Sequence, residues 1–282
     1  MTFSPLSPLI IEEAVARALR EDLGDAGDIT TDACIAKASQ ARAVIAARKA
    51  GVIAGAECAR AAFRLIDPAV SIRVEKGDGA KVAAGDSAIL IEGPARAVLT
   101  AERVALNFLG HLSGVATATA ILVEAVKGTK AKIVCTRKTT PGLRAFEKYA
   151  VRCGGGRNHR FGLYDAVLIK DNHIAAAGGV ANALRAAKAA VGHMTTIEIE
   201  VGTLGELEEA LKEGVDAILL DNMPLDELKR AAALTKGRAV LEASGNVTLE
   251  TVRAVAETGV DCISSGWITH SAPALDLGLD FL

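Results

Sequence analysis

From residue 132 onward the chain repeats one unit: a short apolar run rich in β-branched residues, a polar residue at its end, then a stretch with helical spacing. Candidate strands fall at 132–135, 166–169, 196–201, 217–220, 239–242 and 262–264, each too short for a helix and flanked by glycine or another turn signal. Helical patterns at 143–152, 180–190, 204–213, 225–234 and 249–257 lie between them. From Glu200 to Asp221 is 21 residues, on to Ser244 is 23, and on to Gly266 is 22. A βα repeat of that length, with strands apolar on both faces, requires a parallel sheet covered by helices. The number of repeats predicts an α/β barrel, and an incomplete one.

In such a barrel the loops that follow the strands share one rim, so side chains distant in sequence converge there. Here the rim would collect Arg137, Lys138, Lys170, Glu200, Asp221, Ser244-Gly245 and Ser265-Gly266. Cations come first, carboxylates next, and small hydroxyl and glycine loops last. Those last loops suit a phosphate, because glycine lets backbone N–H groups approach and a helix start follows each. The chain carries a net charge of only −2, yet between Cys135 and Asn172 it places eight arginines and lysines around a glycine triplet and a histidine. A local excess of this kind points to an anionic ligand.

Composition excludes several alternatives. With a pI near 6.2 there is no global basic field for nucleic acid or an anionic membrane, and 3% aromatics are too few for a base-stacking surface. The five cysteines are odd in number, widely separated and free of CxxC spacing, which argues against a disulfide frame or a zinc knuckle and for a reducing, cytoplasmic setting. No export signal is read at the amino terminus, and no later run is expected to supply the roughly 18 apolar residues of a membrane span.

The first third is organised differently. Ile10, Ile11, Ala14, Val15, Ala18 and Leu19 form one stripe of an opening helix. Strand-like runs at 41–46, 52–54, 70–74 and 88–91, broken by Gly77-Asp78-Gly79 and Gly85-Asp86, predict an antiparallel sheet with a helix over 56–65 packed on it. A long helix from 95 to about 112 then leads into the barrel and sets Arg96, Arg103, Asn107 and His111 opposite its apolar stripe. The expected organisation is an N-terminal α+β open-sandwich domain (1–112) and an α/β-barrel domain (113–268). The tail, 269–282, is expected to return to the first domain.

Individual residues carry competing readings. The lysines and arginines within 143–152 sit at helical spacing, as ordinary surface residues do. Glu198 and Glu200 alternate on one strand and face the same side; paired with Asp221 at matching depth, Glu200 is either a salt-bridge partner or a functional group. His159 and His173 lack a second ligand at i+3 or i+4, so each reads as a hydrogen-bonding or substrate-contacting residue rather than a metal ligand. Gly154-Gly155-Gly156 is either a helix stop or a loop wrapped on an anion.

Across these positions the chain closely resembles the quinolinate phosphoribosyltransferases, also called carboxylating nicotinate-nucleotide pyrophosphorylases. The resemblance rests on Glu21-Asp22 with Gly27 to Thr31, Val52 to Glu57, Ala101 to Asn107, Thr136 to Gly142, Gly154 to Arg160, Ile169 to His173, Leu220 to Asn222 and Glu242 to Asn246. It implies a type II phosphoribosyltransferase fold and the joining of quinolinate, a pyridine dicarboxylate, to phosphoribosyl pyrophosphate with Mg²⁺, in NAD biosynthesis. Thr136, Arg137, Lys138, His159, Arg160 and Lys170 would then hold quinolinate, with Arg103 contributed from the second subunit of a homodimer. Lys138 and Lys170 would neutralise pyrophosphate, and Glu200 and Asp221 would contact ribose hydroxyls or the metal. Ser244-Gly245-Asn246 with Ser265-Gly266 would cradle the 5′-phosphate. Trp267 departs from the family's small residue at that position and either narrows the phosphate pocket or points away from it.

The rival readings are a paralogue from molybdenum-transport operons, which lacks the Arg-Asn-His-Arg pattern of Arg157–Arg160, and a nicotinate phosphoribosyltransferase, whose monocarboxylate substrate needs fewer arginines. Two others are a barrel aldolase with Lys170 as its Schiff-base lysine and a non-catalytic phosphometabolite-binding protein.

Overall fold

A computed structural model describes residues 4–282. The chain divides into two compact units. One holds the residues up to Ala120 together with Ala145–Gly155 and Ser271–Leu282; the other holds Ile121–Arg144 and Gly156–His270.

The first unit opens with α1 (Pro8–Leu23), started by a proline in its first turn and closed at Gly24, and α2 (Ile29–Cys34), capped by the Asp28 carboxylate. There follow β1 (Gln40–Ala47), β2 (Gly51–Val52), α3 (Ala56–Ile66), β3 (Ser71–Val74), β4 (Lys81–Val82) and β5 (Ser87–Pro94). β1 and β5 pair antiparallel with Val44 opposite Leu90, β3 pairs with the other edge of β5, and β2 and β4 make a separate two-stranded ladder. α3 buries Cys58, Ala59, Ala62 and Phe63 and packs on the Ile11–Val15–Leu19 stripe of α1.

α4 (Ala95–Ala125) runs 31 residues, well past the expected end near Leu112, and the division between units falls inside it. Gly110 and Gly114 lie within the helix and serve close packing. A Cβ on Gly114 would lie 2.2 Å from the Pro273 carbonyl oxygen, and one on Gly110 would lie 3.1 Å from that of Leu275. α4 also supplies the membrane-length apolar stretch that was not expected. That window is 61% buried within the protein, which is the behaviour of a core helix.

The second unit begins with β6 (Lys132–Val134). α5 (Arg144–Cys153) follows, and then β7 (Val167–Ile169), α6 (Asp171–Ala177), α7 (Val180–Ala190), β8 (Ile197–Val201), α8 (Leu204–Glu213) and β9 (Ala217–Asp221). It ends with α9 (Leu225–Thr235), β10 (Val240–Ser244), α10 (Leu249–Ala256), β11 (Cys262–Ser264) and α11 (Trp267–His270). The strands form one parallel sheet in the order β6-β11-β10-β9-β8-β7. Because the last strand, β11, pairs with the first, β6, the sheet curls back on itself. Among the described residues no ladder joins β6 to β7, so the barrel has a seam there. Along that seam Arg157 bridges β6, its N–H donating to the Ile133 carbonyl at 2.8 Å while its carbonyl accepts from Cys135 at 3.2 Å.

α5 corrects the surface reading of 143–152. Most of it belongs to the first unit, where Phe146 packs on Phe108 of α4 with ring centroids 5.9 Å apart and Glu147 meets His111 at 2.9 Å. Lys148 is fully buried rather than solvated. The glycines after α5 close the helix: Gly155 is left-handed (φ 87), and a Cβ on Gly154 would lie 2.3 Å from the Ala116 carbonyl oxygen.

Finally β12 (Leu277–Phe281) pairs antiparallel with the free edge of β1, Ile45 opposite Leu279, and completes a sheet ordered β12-β1-β5-β3. The tail therefore returns to the first unit as a strand.

Phe63 of α3 has no exposed surface and so makes a fully buried contact. Phe63→Ala should cost about 3–5 kcal/mol, measured by urea denaturation. A loss below about 1 kcal/mol would show that this contact carries little of the first unit's stability.

Candidate active site

The carboxyl ends of all six barrel strands open on one cavity of about 350 Å³. β6 leads into Thr136, Arg137 and Lys138. The Lys138 N–H donates to the Thr136 hydroxyl at 3.0 Å, and its carbonyl accepts from the Thr269 hydroxyl at 2.7 Å. Gly266 lies so close that a Cβ there would sit 2.9 Å from Lys138 Cδ. The first and last strand loops therefore fix each other.

Lys170 follows β7 and Glu200 nearly closes β8, the adjacent strand; Lys170 Nζ bonds Glu200 Oε2 at 2.7 Å. Asp221 ends β9 and Ser244 ends β10, opposite each other in register. Beyond them the backbone turns left-handed at Asn222 (φ 53), Gly245 (φ 102) and Asn246 (φ 47), conformations that asparagine and glycine tolerate best. The Asn222 side-chain amide donates to Asp221 Oδ2 at 3.0 Å, and its Oδ1 occupies the space a Cβ on Gly245 would need, at 2.0 Å.

The remaining wall is the irregular segment after Arg157. It brings His159 and Arg160 to Arg137. Arg160 Nη1 donates to the Ala166 carbonyl at 2.9 Å, but its Nε, like that of Arg137, is buried without a hydrogen-bond partner; so is the hydroxyl of Ser264, which also lines the cavity. Burial, and then the charge of Arg137, holds the Arg160 guanidinium below its ordinary value. Two half-buried cations whose Nε atoms are buried without a partner call for an anion, and planar guanidinium groups suit a carboxylate.

Beneath these cations lie two carboxylates that the sequence reading left out of the site, Glu198 of β8 (7% exposed) and Glu242 of β10 (5%). His159 Nε2 meets Glu198 at 2.7 Å and lies 3.9 Å from Glu242. The three groups are close enough to suggest a cation site. The imidazole argues otherwise: its Nδ1 accepts the Arg160 N–H at 2.8 Å, so Nε2 carries the ring proton and has no lone pair for a metal. Alternation along β8 was the available signal, since Glu198 had to face the same way as Glu200.

Of the residues singled out from sequence, Thr136, Arg137, Lys138, His159, Arg160, Lys170, Glu200, Asp221 and Ser244 line this one cavity. Gly245, Asn246, Ser265, Gly266 and Trp267 are not among its lining residues. Ser265 is buried and extends the β6 ladder through its N–H to Val134, and Trp267 opens α11 with 47% of its surface exposed. Arg103 belongs to the other unit, where it lines a different cavity with Asn107, His111 and residues 274–277.

Comparison with known proteins gives a consistent result. Residues 28–113 match the family described as quinolinate phosphoribosyl transferase, N-terminal domain, and residues 115–280 match its C-terminal domain. The chain is 46% identical over 260 residues to a probable nicotinate-nucleotide pyrophosphorylase (carboxylating) of Bacillus subtilis strain 168, covering 92% of this chain and 89% of that one. It is 46% identical over 275 residues to the corresponding protein of Mycobacterium leprae strain TN, covering 95% and 96%. The crystal structure of NadC from Streptococcus pyogenes superposes with a TM-score of 0.95 at 44% identity, covering 99% of this chain and 100% of that one.

A cavity so lined should bind small anions. At a hundredfold excess over its dissociation constant, inorganic phosphate should stabilise the protein by about 2.7 kcal/mol, read as a rise in melting temperature. Arg160→Ala should shrink that rise; an undiminished rise would place the phosphate elsewhere.

Proposed function

Because the chain belongs to the quinolinate phosphoribosyltransferase family, we propose that this cavity is where quinolinate and phosphoribosyl pyrophosphate are joined, residue by residue as follows. The activity is that of a carboxylating nicotinate-nucleotide pyrophosphorylase of NAD biosynthesis, a pentosyltransferase. The observation that carries the reading is the pair Arg137 and Arg160, adjacent, buried in part and with unfilled donors. A dicarboxylate supplies an oxygen pair to each. Thr136 and His159 complete that wall, and Lys138 and Lys170, which line the same cavity, would neutralise the pyrophosphate.

Holding both carboxylates aims the ring nitrogen at the anomeric carbon, and this alignment supplies much of the rate. The C–N bond forms as the C–O bond to pyrophosphate breaks, its electron pair leaving with the phosphate oxygen. The anomeric carbon is then oxocarbenium-like, and the fixed carboxylates of Glu200 and Asp221 stabilise it. Lys138 and Lys170 offset the charge of the leaving group. The ring carboxylate beside the cationic nitrogen departs as carbon dioxide, its electrons staying on the ring carbon until a proton arrives. Ser244, Gly245 and Asn246, with Ser265 and Gly266, would take the 5′-phosphate at the left-handed turn after β10 and the turn after β11, beside Trp267.

The donor chemistry fits Mg²⁺. Glu200 and Asp221, on adjacent strands, offer hard carboxylate oxygens, and such sites are completed by substrate phosphates. These two residues would hold the ion, which would supply further charge neutralisation to the pyrophosphate. A homodimer in which Arg103 of one subunit enters the other's site, in the cytosol, belongs to the same reading. It is supported by Arg103 facing a cavity of its own unit rather than the barrel cavity.

With Mg²⁺ and phosphoribosyl pyrophosphate, quinolinate should release pyrophosphate and nicotinate should not; release with nicotinate alone would refute the substrate assignment. Arg137→Ala should raise the quinolinate KM by about ten- to a hundredfold or abolish turnover, and wild-type kinetics would remove Arg137 from the site. Arg103→Ala and Lys170→Ala should each be inactive alone. Unfolded and refolded together they should recover about a quarter of wild-type activity through heterodimers with one intact site. Absence of recovery would count against the shared site.

A further inference from the structure

We propose that Glu198 is a positioning residue, which through His159 fixes Arg160 at the dicarboxylate wall; the identity of the substrate rests on the function proposed above, but the strut itself does not. Arg160 sits on the irregular segment between α5 and β7, where Asn158 Oδ1 accepts from Cys135 Sγ at 3.4 Å. The start of that segment is laddered to β6 at Arg157. Farther on, Phe161 and Gly162 donate their N–H groups to Asp165, within the segment itself, and Leu163 and Tyr164 project into solvent. Between these lies a continuous line of hydrogen bonds into the barrel interior: the Arg160 N–H donates to His159 Nδ1 at 2.8 Å, and His159 Nε2–H donates to Glu198 on β8 at 2.7 Å. One end is a backbone amide that cannot lose its proton. The other is a carboxylate 7% exposed.

The direction of these bonds decides the chemistry. An N–H pointing at Nδ1 requires a lone pair there, so the ring is the neutral Nε2–H tautomer. Both ring nitrogens are then spent, and His159 meets a substrate carboxylate only by breaking one of these bonds. Arg160 is held at both ends, by His159 at its backbone and by the Ala166 carbonyl at Nη1, and its partnerless Nε is a free donor. Glu198 acts as an acceptor for a neutral donor, and a glutamine carbonyl can do the same.

Kinetics and imidazole ¹⁵N spectra of the full-length protein test this. Glu198→Ala should raise the quinolinate KM by about ten- to a hundredfold while leaving kcat and the phosphoribosyl pyrophosphate KM within about twofold, and Glu198→Gln should restore the wild-type value. A Glu198→Gln variant as impaired as Glu198→Ala, or equal losses for both substrates, overturns the strut. In ¹⁵N-histidine-labelled protein, with His159→Asn for assignment, His159 should show the Nε2–H tautomer both alone and saturated with quinolinate. An Nδ1–H tautomer or an imidazolium in the free protein, or a change to either on adding quinolinate, overturns it. The ligand-free spectrum decides the matter even where Glu198→Ala does not fold or quinolinate is not turned over.

Discussion

Two guanidinium groups of like sign, set beside each other in a cavity walled by buried strands, are the constraint on which the second unit turns. Apart from a ligand they repel, and the repulsion is strengthened by the low polarisability of the surroundings. They can be held there only by a scaffold that over-determines both. Arg137 is placed by the turn after β6, whose neighbour Lys138 is pinned to the last strand loop through Thr269. Arg160 arrives on an irregular segment, and the seam between β6 and β7 gives that segment its place beside β6. The incompleteness of the barrel is thus part of the binding site: a closed β6–β7 ladder would take up the edge that Arg157 uses.

The acids are arranged to match. Glu198 and Glu242 lie beneath the cations, away from water, while Glu200 and Asp221 stand at the strand ends with Lys170 and Asn222 as partners. A strand's two-residue period produces this layering without further design, because Glu198 and Glu200 share a face at different depths. The cavity therefore has a positive wall and a negative floor, and the nearly neutral chain as a whole conceals both.

Much of this was legible in the residues. The barrel strands and helices follow from apolar runs and helical spacing, with α7 (Val180–Ala190) and α8 (Leu204–Glu213) ending where the pattern ends. The rim residues follow from their place after each run. What was not legible depends on contacts between distant segments. The continuation of α4 beyond Leu112 had no mark in the sequence, and the close approach of the backbone at 273–275 to Gly110 and Gly114 is visible only in the fold. Lys148 looks solvated until α5 is seen to leave the barrel for the first unit. Glu242 could be read as closing a strand run, but its neighbour is a histidine more than eighty residues away in sequence. The short β12 lacks the length and pattern of a confident strand, and it is one because β1 offers it an edge.

That last pairing has a consequence for how the molecule is made. The partner of β1 lies more than two hundred residues downstream, so on the ribosome the edge of β1 has emerged long before Leu277–Phe281 exists. At translation speeds of about 5–20 residues per second the wait is on the order of ten to fifty seconds. Throughout it an unpaired edge, with Ile45 and Ala47 behind it in the core, is open to any other nascent strand. The sheet of the first unit is complete only once Leu277–Phe281 has been made.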